Sequence, residues 1–347
     1  MKTRPLGRTG LQTGNLSLGT MTFGTQTCEA DAHRQLDMAV AAGINLIDTA
    51  ELYPVNPIRA ETCGASEVII GNWLQKSGKR HDVLIASKIA GSGAKAVRDG
   101  APISPETVEA AVDNSLKNLQ TNVIDLYQLH WPNRGSYHFR QNWAFSPSTQ
   151  SKETAVAEIE AVLEALQKQV DAGKIRHIGL SNESAWGTAQ FLRISEARGL
   201  PRVATIQNEY NLLCRHFDLD LAELSHHEDV GLLAFSPLAT GLLTGKYSGD
   251  VTPQPSRRSV NPTLSGRLTK ESLAVTDEYT ALAHSHGLDP VHMALAFCSS
   301  RPFMAASIVG ATTADQLAHL LKGADLELSD EVQAGIQAIY RRSPMPM

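Results

Sequence analysis

Short apolar runs alternate with amphipathic patterns from one end of the chain to the other. The apolar runs predict eight strands, at Asn15–Thr20, Asn45–Ala50, Val83–Ile89, Val123–His130, Ile175–Asn182, Val203–Tyr210, Gly231–Pro237 and Ser307–Thr312. Between them the spacing turns helical. In Pro105–Gln120, Ser104 can cap, Pro105 suits the first helical position, and Val108, Val112, Leu116 and Leu119 share a face. A second helix is predicted from about Glu153 to Ala172, with Val156, Ile159, Val162, Leu163, Leu166 and Val170 as its apolar stripe and Gly173 as its left-handed stop. Gly43 closes the first helix in the same way. Strict alternation of strand and helix implies parallel strands joined by right-handed crossovers, and eight repeats close a (β/α)₈ barrel. The expected class is therefore an α/β TIM barrel, in one domain over residues 1–347. The opening Arg4–Thr13, with Gly7, Gly10 and Gly14 as turn residues, predicts a hairpin that plugs one end. Trp131–Ser151 and Leu238–Lys270, after the fourth and seventh strands, are too long for simple connections. Both follow the C-terminal ends of strands, the face on which barrels carry their chemistry.

Composition narrows the class without changing the picture. With 42% hydrophobic and 19% charged residues and a net charge of −5, the chain can bury a sizeable core and is not disordered. It has no apolar run of roughly 18 residues and no signal-like start, so a cytoplasmic protein that neither spans nor binds a membrane is expected. Cys28, Cys63, Cys214 and Cys298 form no C-x-x-C, which predicts reduced thiols and neither disulfides nor zinc. No basic block suits nucleic acid. A doubly wound sheet competes with the barrel, because Gly91-Ser-Gly93-Ala-Lys-Ala96 follows a strand and matches G-x-G-x-x-A. It is rejected: Gly100 and Pro102 interrupt any long helix, and no acidic residue ends a strand about 20 positions on. His284-x-His286 sits in a helical pattern where residues two apart diverge, and H-E-x-x-H, P-loop and G-x-S-x-G motifs are missing, so neither a metal site nor acyl transfer is expected.

The strand ends carry the polar groups. They read Asp48-Thr-Ala with Glu51 and Tyr53 just beyond, Ser87-Lys88, His130-Trp131-Pro132, Ser181-Asn182, Gln207-Asn208 and Ser236-Pro237-Leu238. Each has a bland reading: a structural ion pair for Asp48 and Lys88, a bonded rim residue for His130, a loop anchor for Tyr53, a helix cap for Ser181-Asn182. Lysine is rarely fully buried, however, and four such groups on three consecutive strands of one rim point to a site with paired, partly desolvated charge.

Asp48-Thr-Ala-Glu-Leu-Tyr53, Ser87-Lys88, Leu-His130-Trp-Pro, Gly179-Leu-Ser181-Asn182, Ile206-Gln207-Asn208-Glu-Tyr210, Ser236-Pro-Leu and Gly310-Ala-Thr together resemble the aldo-keto reductase superfamily, in order and spacing along nearly the whole chain. Within it the chain looks most like the bacterial Tas-like reductases, whose loops resemble those of potassium-channel β subunits. The resemblance implies the same barrel, NADP(H) bound without a dinucleotide fingerprint, and reduction of a small-molecule aldehyde or ketone by hydride transfer. It assigns Tyr53 as proton donor, Lys88 as the group that tunes it, Asp48 as the anchor of Lys88, and His130 as a hydrogen-bond donor to the carbonyl oxygen. Bringing a tyrosine from near 10 down by roughly two units takes about 2.7 kcal/mol. One ammonium at about 4 Å supplies on the order of 4 kcal/mol at an effective dielectric near 20, so Lys88 alone is expected to suffice.

Cofactor contacts carry over in the same way. The resemblance places Thr20 and Met21 beside the cofactor, Ser181, Asn182 and Gln207 on the nicotinamide amide, and Phe235 on the ring face. Ser236, Leu238, Gly241 and Lys246 follow along the pyrophosphate, and Gly310, Thr312, Thr313 and Gln316 lie at the adenosine end. Thr313 to Gln316 also reads as a capping box. Met21, Phe23 and Trp131 are assigned to the substrate pocket. Three departures stand out: an insertion at Val55–Thr62 before Gly64-Ala-Ser66-Glu67, Thr312 where many relatives have arginine, and Leu320 where many have asparagine. Arg257, Arg258 and Arg267 in the long loop are the candidate replacement cations for a 2′-phosphate. Two other functions stay open: a Schiff-base aldolase using Lys88, and a slow, NADPH-sensing accessory subunit.

Overall fold

The apolar runs pair edge to edge in the computed structural model, which describes residues 1–347. A hairpin of β1 (Thr3–Pro5) and β2 (Gln12–Gly14) leads into β3 (Leu16–Gly19), α1 (Glu29–Ala41), β4 (Leu46–Asp48), α2 (Ala65–Ser77) and β5 (Leu84–Ile89). There follow α3 (Pro105–Leu119), β6 (Ile124–Leu129), α4 (Lys152–Asp171), β7 (Ile175–Ser181), α5 (Ala185–Arg198), β8 (Val203–Glu209) and α6 (Asp220–Glu228). The chain ends through β9 (Gly231–Phe235), α7 (Arg257–Val260), α8 (Lys270–Ser285), α9 (Pro290–Ser300), β10 (Met304–Val309), α10 (Ala314–Leu321) and α11 (Asp330–Arg342). Eight parallel strands close in the order β10-β3-β4-β5-β6-β7-β8-β9.

Most strands stop a residue or two before their predicted ends, because the chain leaves the ladder where the rim residues begin. The last is displaced by three positions at both ends: Ala305 and Ala306 give little β signal but are buried, while Gly310 to Thr312 lie in a loop. The helices match their signals closely. Ser104 and Thr107 form a reciprocal capping box at α3, which Gln120 ends in a left-handed conformation, and Ser151 caps α4 through the Thr154 amide. The Gly91–Ala96 stretch opens no helix.

Period-two alternation sorts the barrel interior into tiers. Leu46, Ala86, Leu126, Leu233 and Ile308 belong to a lower apolar cluster of nine residues, which Leu6 of the hairpin completes from below with no exposed surface. Two positions further along the same faces come Asp48, Lys88 and Gln128. The larger core, 69 buried residues, packs the outer strand faces against the helices, so the fold rests chiefly on that shell and leaves the upper tier free to be polar.

Gly7 turns the plug at φ +58°, and a Cβ there would lie 2.2 Å from the Ala204 carbonyl oxygen. Gly7→Ala should therefore cost about 2–5 kcal/mol, the left-handed penalty plus overpacking. Urea denaturation should show this as a lower midpoint, with turnover per folded molecule unchanged; an unshifted midpoint would mean that the hairpin does not bear on stability.

The two long connections are as expected. Trp131–Ser151 has no regular structure, and the segment after β9 contains single turns at Ala239–Thr244 and Ser248–Asp250 besides the one-turn α7. No helix is long and apolar enough to cross a membrane.

Candidate active site

Strand register brings the rim residues together. Asp48 ends β4, Lys88 sits one residue from the end of β5 opposite Gln128 of β6, and Ser181 ends β7 opposite Gln207 of β8. The Lys88 ammonium has no exposed surface and is held by three oxygens: Asp48 Oδ2 at 2.7 Å, the Thr49 carbonyl at 2.7 Å and the Tyr53 hydroxyl at 3.5 Å. Burial works against its charge, but Asp48 and Tyr53 outweigh burial and raise its pKa above the ordinary lysine value. Tyr53 stands on the loop beyond β4, where its carbonyl accepts from the Gly64 amide at 2.9 Å and so rests against the start of α2. Ser66 Oγ in turn donates to the Thr20 and Phe23 carbonyls.

The expected balance at Tyr53 is corrected. The phenol keeps some surface toward the mouth, yet its surroundings are dense enough that desolvation of the phenolate raises its pKa above that of free tyrosine. Lys88 pulls the other way, and Asp48 cancels part of that pull. Lys88 alone does not bring Tyr53 down. The hydroxyl is accordingly protonated at neutral pH. His130 follows β6, its ring edge-on to Tyr53 with centroids 5.8 Å apart. Burial, then Lys88, hold its pKa well below the ordinary histidine value, so the imidazole is neutral; Nδ1 is buried without a partner.

Gln207 does more than the resemblance assigns to it. Its amide nitrogen donates to Asp48 Oδ1 at 2.8 Å and to Gln128 Oε1 at 3.1 Å, so the side chain also supports the ion pair. Gln128 donates to the same Asp48 oxygen at 3.3 Å and went unnoticed in the sequence, although alternation from His130 places it on the inward face. Ser181 Oγ donates to the Gln207 carbonyl, and Asn182 Nδ2 donates to the His130 carbonyl and to Ser181 Oγ, while Asn182 Oδ1 is buried and unpartnered. Thr20 bonds the Asp48 carbonyl through both its amide and its hydroxyl.

Met21 and Trp131 face the mouth partly exposed, but Phe23 is fully buried in the main core and presents no pocket surface. The chain turns under itself at Phe23 to meet Ser66, which places that ring inward. Phe235 and Leu238 are half-buried, Ser236 between Phe235 and Pro237 takes a left-handed φ of 52°, and Lys246 is exposed with its ammonium beside Gly241. Thr313 caps α10 by accepting from the Gln316 amide, but the Gln316 side chain bonds the Thr312 amide and hydroxyl, each at 3.0 Å, so the box is shifted by one residue. Gly310 is open, and Leu320 is buried.

The loop cations also differ from expectation. Arg267 is buried and doubly bonded to Glu209 at 2.7 and 2.8 Å, and Arg258 pairs with Asp250 at 2.6 Å. Only Arg257 of the three lacks a carboxylate partner. It lies 3.9 Å from Met21 Sδ, burial lowers its pKa to about 10, and its Nε is buried and unpartnered. Elsewhere Asp289, His292 and His319 cluster, but they spend their bonds on one another: His292 Nε2 on the His319 carbonyl at 2.8 Å and His319 Nε2 on Asp289 at 3.2 Å.

A closed parallel barrel with a buried Asp–Lys–Tyr constellation and a neutral histidine at its mouth defines an oxidoreductase architecture, and the Aldo/keto reductase family profile matches residues 15–341. The chain belongs to that family. It is 44% identical to Protein tas of Escherichia coli (strain K12), with 98% of each chain covered. It is 30% identical to the uncharacterized oxidoreductase YrpG of Bacillus subtilis (strain 168), over 96% of this chain and 94% of the relative. A probable voltage-gated potassium channel subunit beta of Oryza sativa subsp. japonica is 27% identical, with 99% of each chain covered.

Proposed function

We propose that the protein reduces an aldehyde or ketone to an alcohol with NADPH, using Tyr53 as the proton donor. The observation that carries this reading is the buried Lys88 ammonium held between Asp48 and the Tyr53 hydroxyl. When bound, the nicotinamide supplies the hydride. The chain's part is the proton and the oxygen. Tyr53 holds its proton at the hydroxyl, neutral His130 offers its remaining N–H to the same carbonyl oxygen, and both act in a site from which water is largely excluded. As the oxygen gains charge it takes the Tyr53 proton, and the phenolate left behind is stabilised by Lys88. The orphaned Asn182 Oδ1 suits the amide hydrogens of a carboxamide, and the orphaned Arg257 Nε suits a pyrophosphate oxygen.

The Schiff-base alternative asks for an unpaired, desolvated lysine with a depressed pKa, the opposite of what Asp48 does to Lys88. The likeness to channel β subunits favours a second reading, a cofactor-sensing accessory subunit with slow turnover. Loss of reduced-nicotinamide absorbance with a panel of aldehydes, together with recovery of the alcohol, tests the first reading. A protein that binds NADPH tightly but oxidises it only slowly with every aldehyde supports the second.

Few groups are free to select the cofactor. Thr312 spends its amide and hydroxyl on Gln316, and Arg267 and Arg258 are paired, which leaves the start of α10 to attract a 2′-phosphate. One helix terminus is worth about 0.3–1 kcal/mol, roughly two- to fivefold in affinity. NADPH should bind more tightly than NADH by about that factor, and by less as salt rises. Fluorescence titration with both cofactors at two ionic strengths checks it; equal affinities would overturn the preference.

A further inference from the structure

We propose that the buried Glu51–Arg98 pair is a positioning clamp, holding the Tyr53 loop against the loop beyond Lys88 and so setting the approach of the Tyr53 hydroxyl to the Lys88 ammonium. The inference rests on the reading of Tyr53 and Lys88 just given.

Glu51 lies two residues before Tyr53, and Ala90 lies two residues after Lys88. The pair ties one to the other. Glu51 Oε1 accepts from the Ala90 amide at 2.6 Å, Arg98 Nη1 bonds both carboxylate oxygens of Glu51, and Arg98 Nη2 donates to the Ala90 carbonyl at 2.8 Å. Both polar groups of the Ala90 backbone are thus held by the pair, and the Glu51 amide adds a bond to the Lys88 carbonyl at 3.2 Å. The side chains are 4% and 17% exposed, so the pair is shielded from solvent and far more demanding of geometry than a surface ion pair. Burial raises the Glu51 carboxyl above its usual range, while Arg98 and the Ala90 amide oppose it.

The stretch that imitates a dinucleotide fingerprint builds this clamp. Gly93 donates to the Gly100 carbonyl and Gly100 to the Val97 carbonyl, each at 3.0 Å, which folds residues 93–100 into a tight loop. Arg98 and Asp99 take left-handed φ values of 48° and 54° in succession, and that double turn carries the guanidinium back to Glu51. Non-glycine residues adopt this region rarely and persist there when their surroundings over-determine them. The other side of the loop holds Trp131: its indole Nε1 donates to the Ser92 carbonyl at 3.1 Å, and a Cβ on Gly91 would come within 2.3 Å of the Trp131 carbonyl oxygen. Proton donor, tuning lysine and pocket wall therefore share one support. Glu51 and Arg98 are positioning residues and need not touch substrate.

The test compares Glu51→Gln, Arg98→Met and Arg98→Lys with Tyr53→Phe, using steady-state aldehyde reduction across pH, NADPH titration by fluorescence, and thermal melting. A misplacement of the order of 1 Å at a reacting group costs roughly a hundredfold, so kcat should fall about 10- to 100-fold in Glu51→Gln and Arg98→Met. KM and cofactor affinity should stay within about twofold of wild type by the same argument, because no binding group is removed. The alkaline limb of kcat should move upward, since a Tyr53 drawn away from Lys88 holds its proton more tightly. Arg98→Lys keeps the charge and should fold, but a lysine cannot bridge Glu51 and the Ala90 carbonyl as a guanidinium does, so it should show a smaller shift in the same direction. A folded variant with kcat near wild type, or a loss of kcat with an unmoved limb, overturns the clamp. Arg98→Lys decides the matter if the other two fail to fold. Tyr53→Phe separates the failures: if it stays active the reading of the site falls, and if it is inactive while the clamp variants behave as wild type only the clamp falls.

Discussion

Tyr53→Phe should lower carbonyl reduction by about 10²–10⁴-fold, the range for removal of a positioned general acid. The argument is geometric before it is kinetic. The hydroxyl is the only atom deleted, it is the atom 3.5 Å from Lys88, and the ring and its place against α2 survive in phenylalanine. NADPH affinity should therefore stay within about twofold, since no assigned cofactor contact depends on the hydroxyl. Burial holds the wild-type phenol above the usual tyrosine value, so the wild-type rate should be flat through neutral pH and fall only on the alkaline side, where the proton is lost. Retention of more than about a tenth of the activity would remove Tyr53 from the mechanism; general-acid catalysis is worth more than that.

Lys88→Met should have the second largest effect, on two observables. Removing one partner of a buried pair leaves the other uncompensated, at about 3–5 kcal/mol. The Gln207 and Gln128 amides still donate to Asp48 Oδ1, so the loss should fall toward the lower end of that range, read as a drop in the denaturation midpoint. Turnover of the folded fraction should also fall sharply. Lys88 is the chief group pulling the Tyr53 pKa down, and without it the phenol binds its proton more tightly; the alkaline limb moves upward. An alkaline limb that stays in place in a folded Lys88→Met protein would mean that Lys88 anchors Asp48 and nothing more.

The architecture was legible in the sequence because strand and helix periods alternate cleanly and the caps are strong: Ser104 starts one helix and Gly173 stops another for reasons local to a few residues. Asp48, Tyr53, Lys88 and His130 were legible as strand-end polar groups, and the structure brings them to one mouth. What was not legible depends on the far side of the barrel. Gln207 lies 159 positions from Asp48, so no spacing says that its amide serves the ion pair. Gln128 shares the inward face of β6, but alternation names the face and not the partner. Phe23 reads as a mouth residue until the loop beyond β3 is seen to turn inward. Arg98 lies two residues past the rejected fingerprint Gly91–Ala96; two left-handed residues send it to Glu51, a conformation that residue type does not announce. The carboxylates that claim Arg258 and Arg267 are likewise chosen by the folded loop alone.

The hairpin that seats Leu6 under the apolar tier closes the barrel from below. In the proposed reaction, a proton that Tyr53 gives away would find no polar relay in Leu46, Ala86 and Leu126 of the floor. It would return by the mouth, the same passage by which product would leave and the next substrate enter. Traffic through that passage would then be serial: recharging the phenol would wait on departure, and a bulky alcohol lingering beside Trp131 would delay the acid as well as the vacancy. The proposed reaction would thus have reactivity and residence time coupled by the floor of the barrel, a part of the molecule that touches neither.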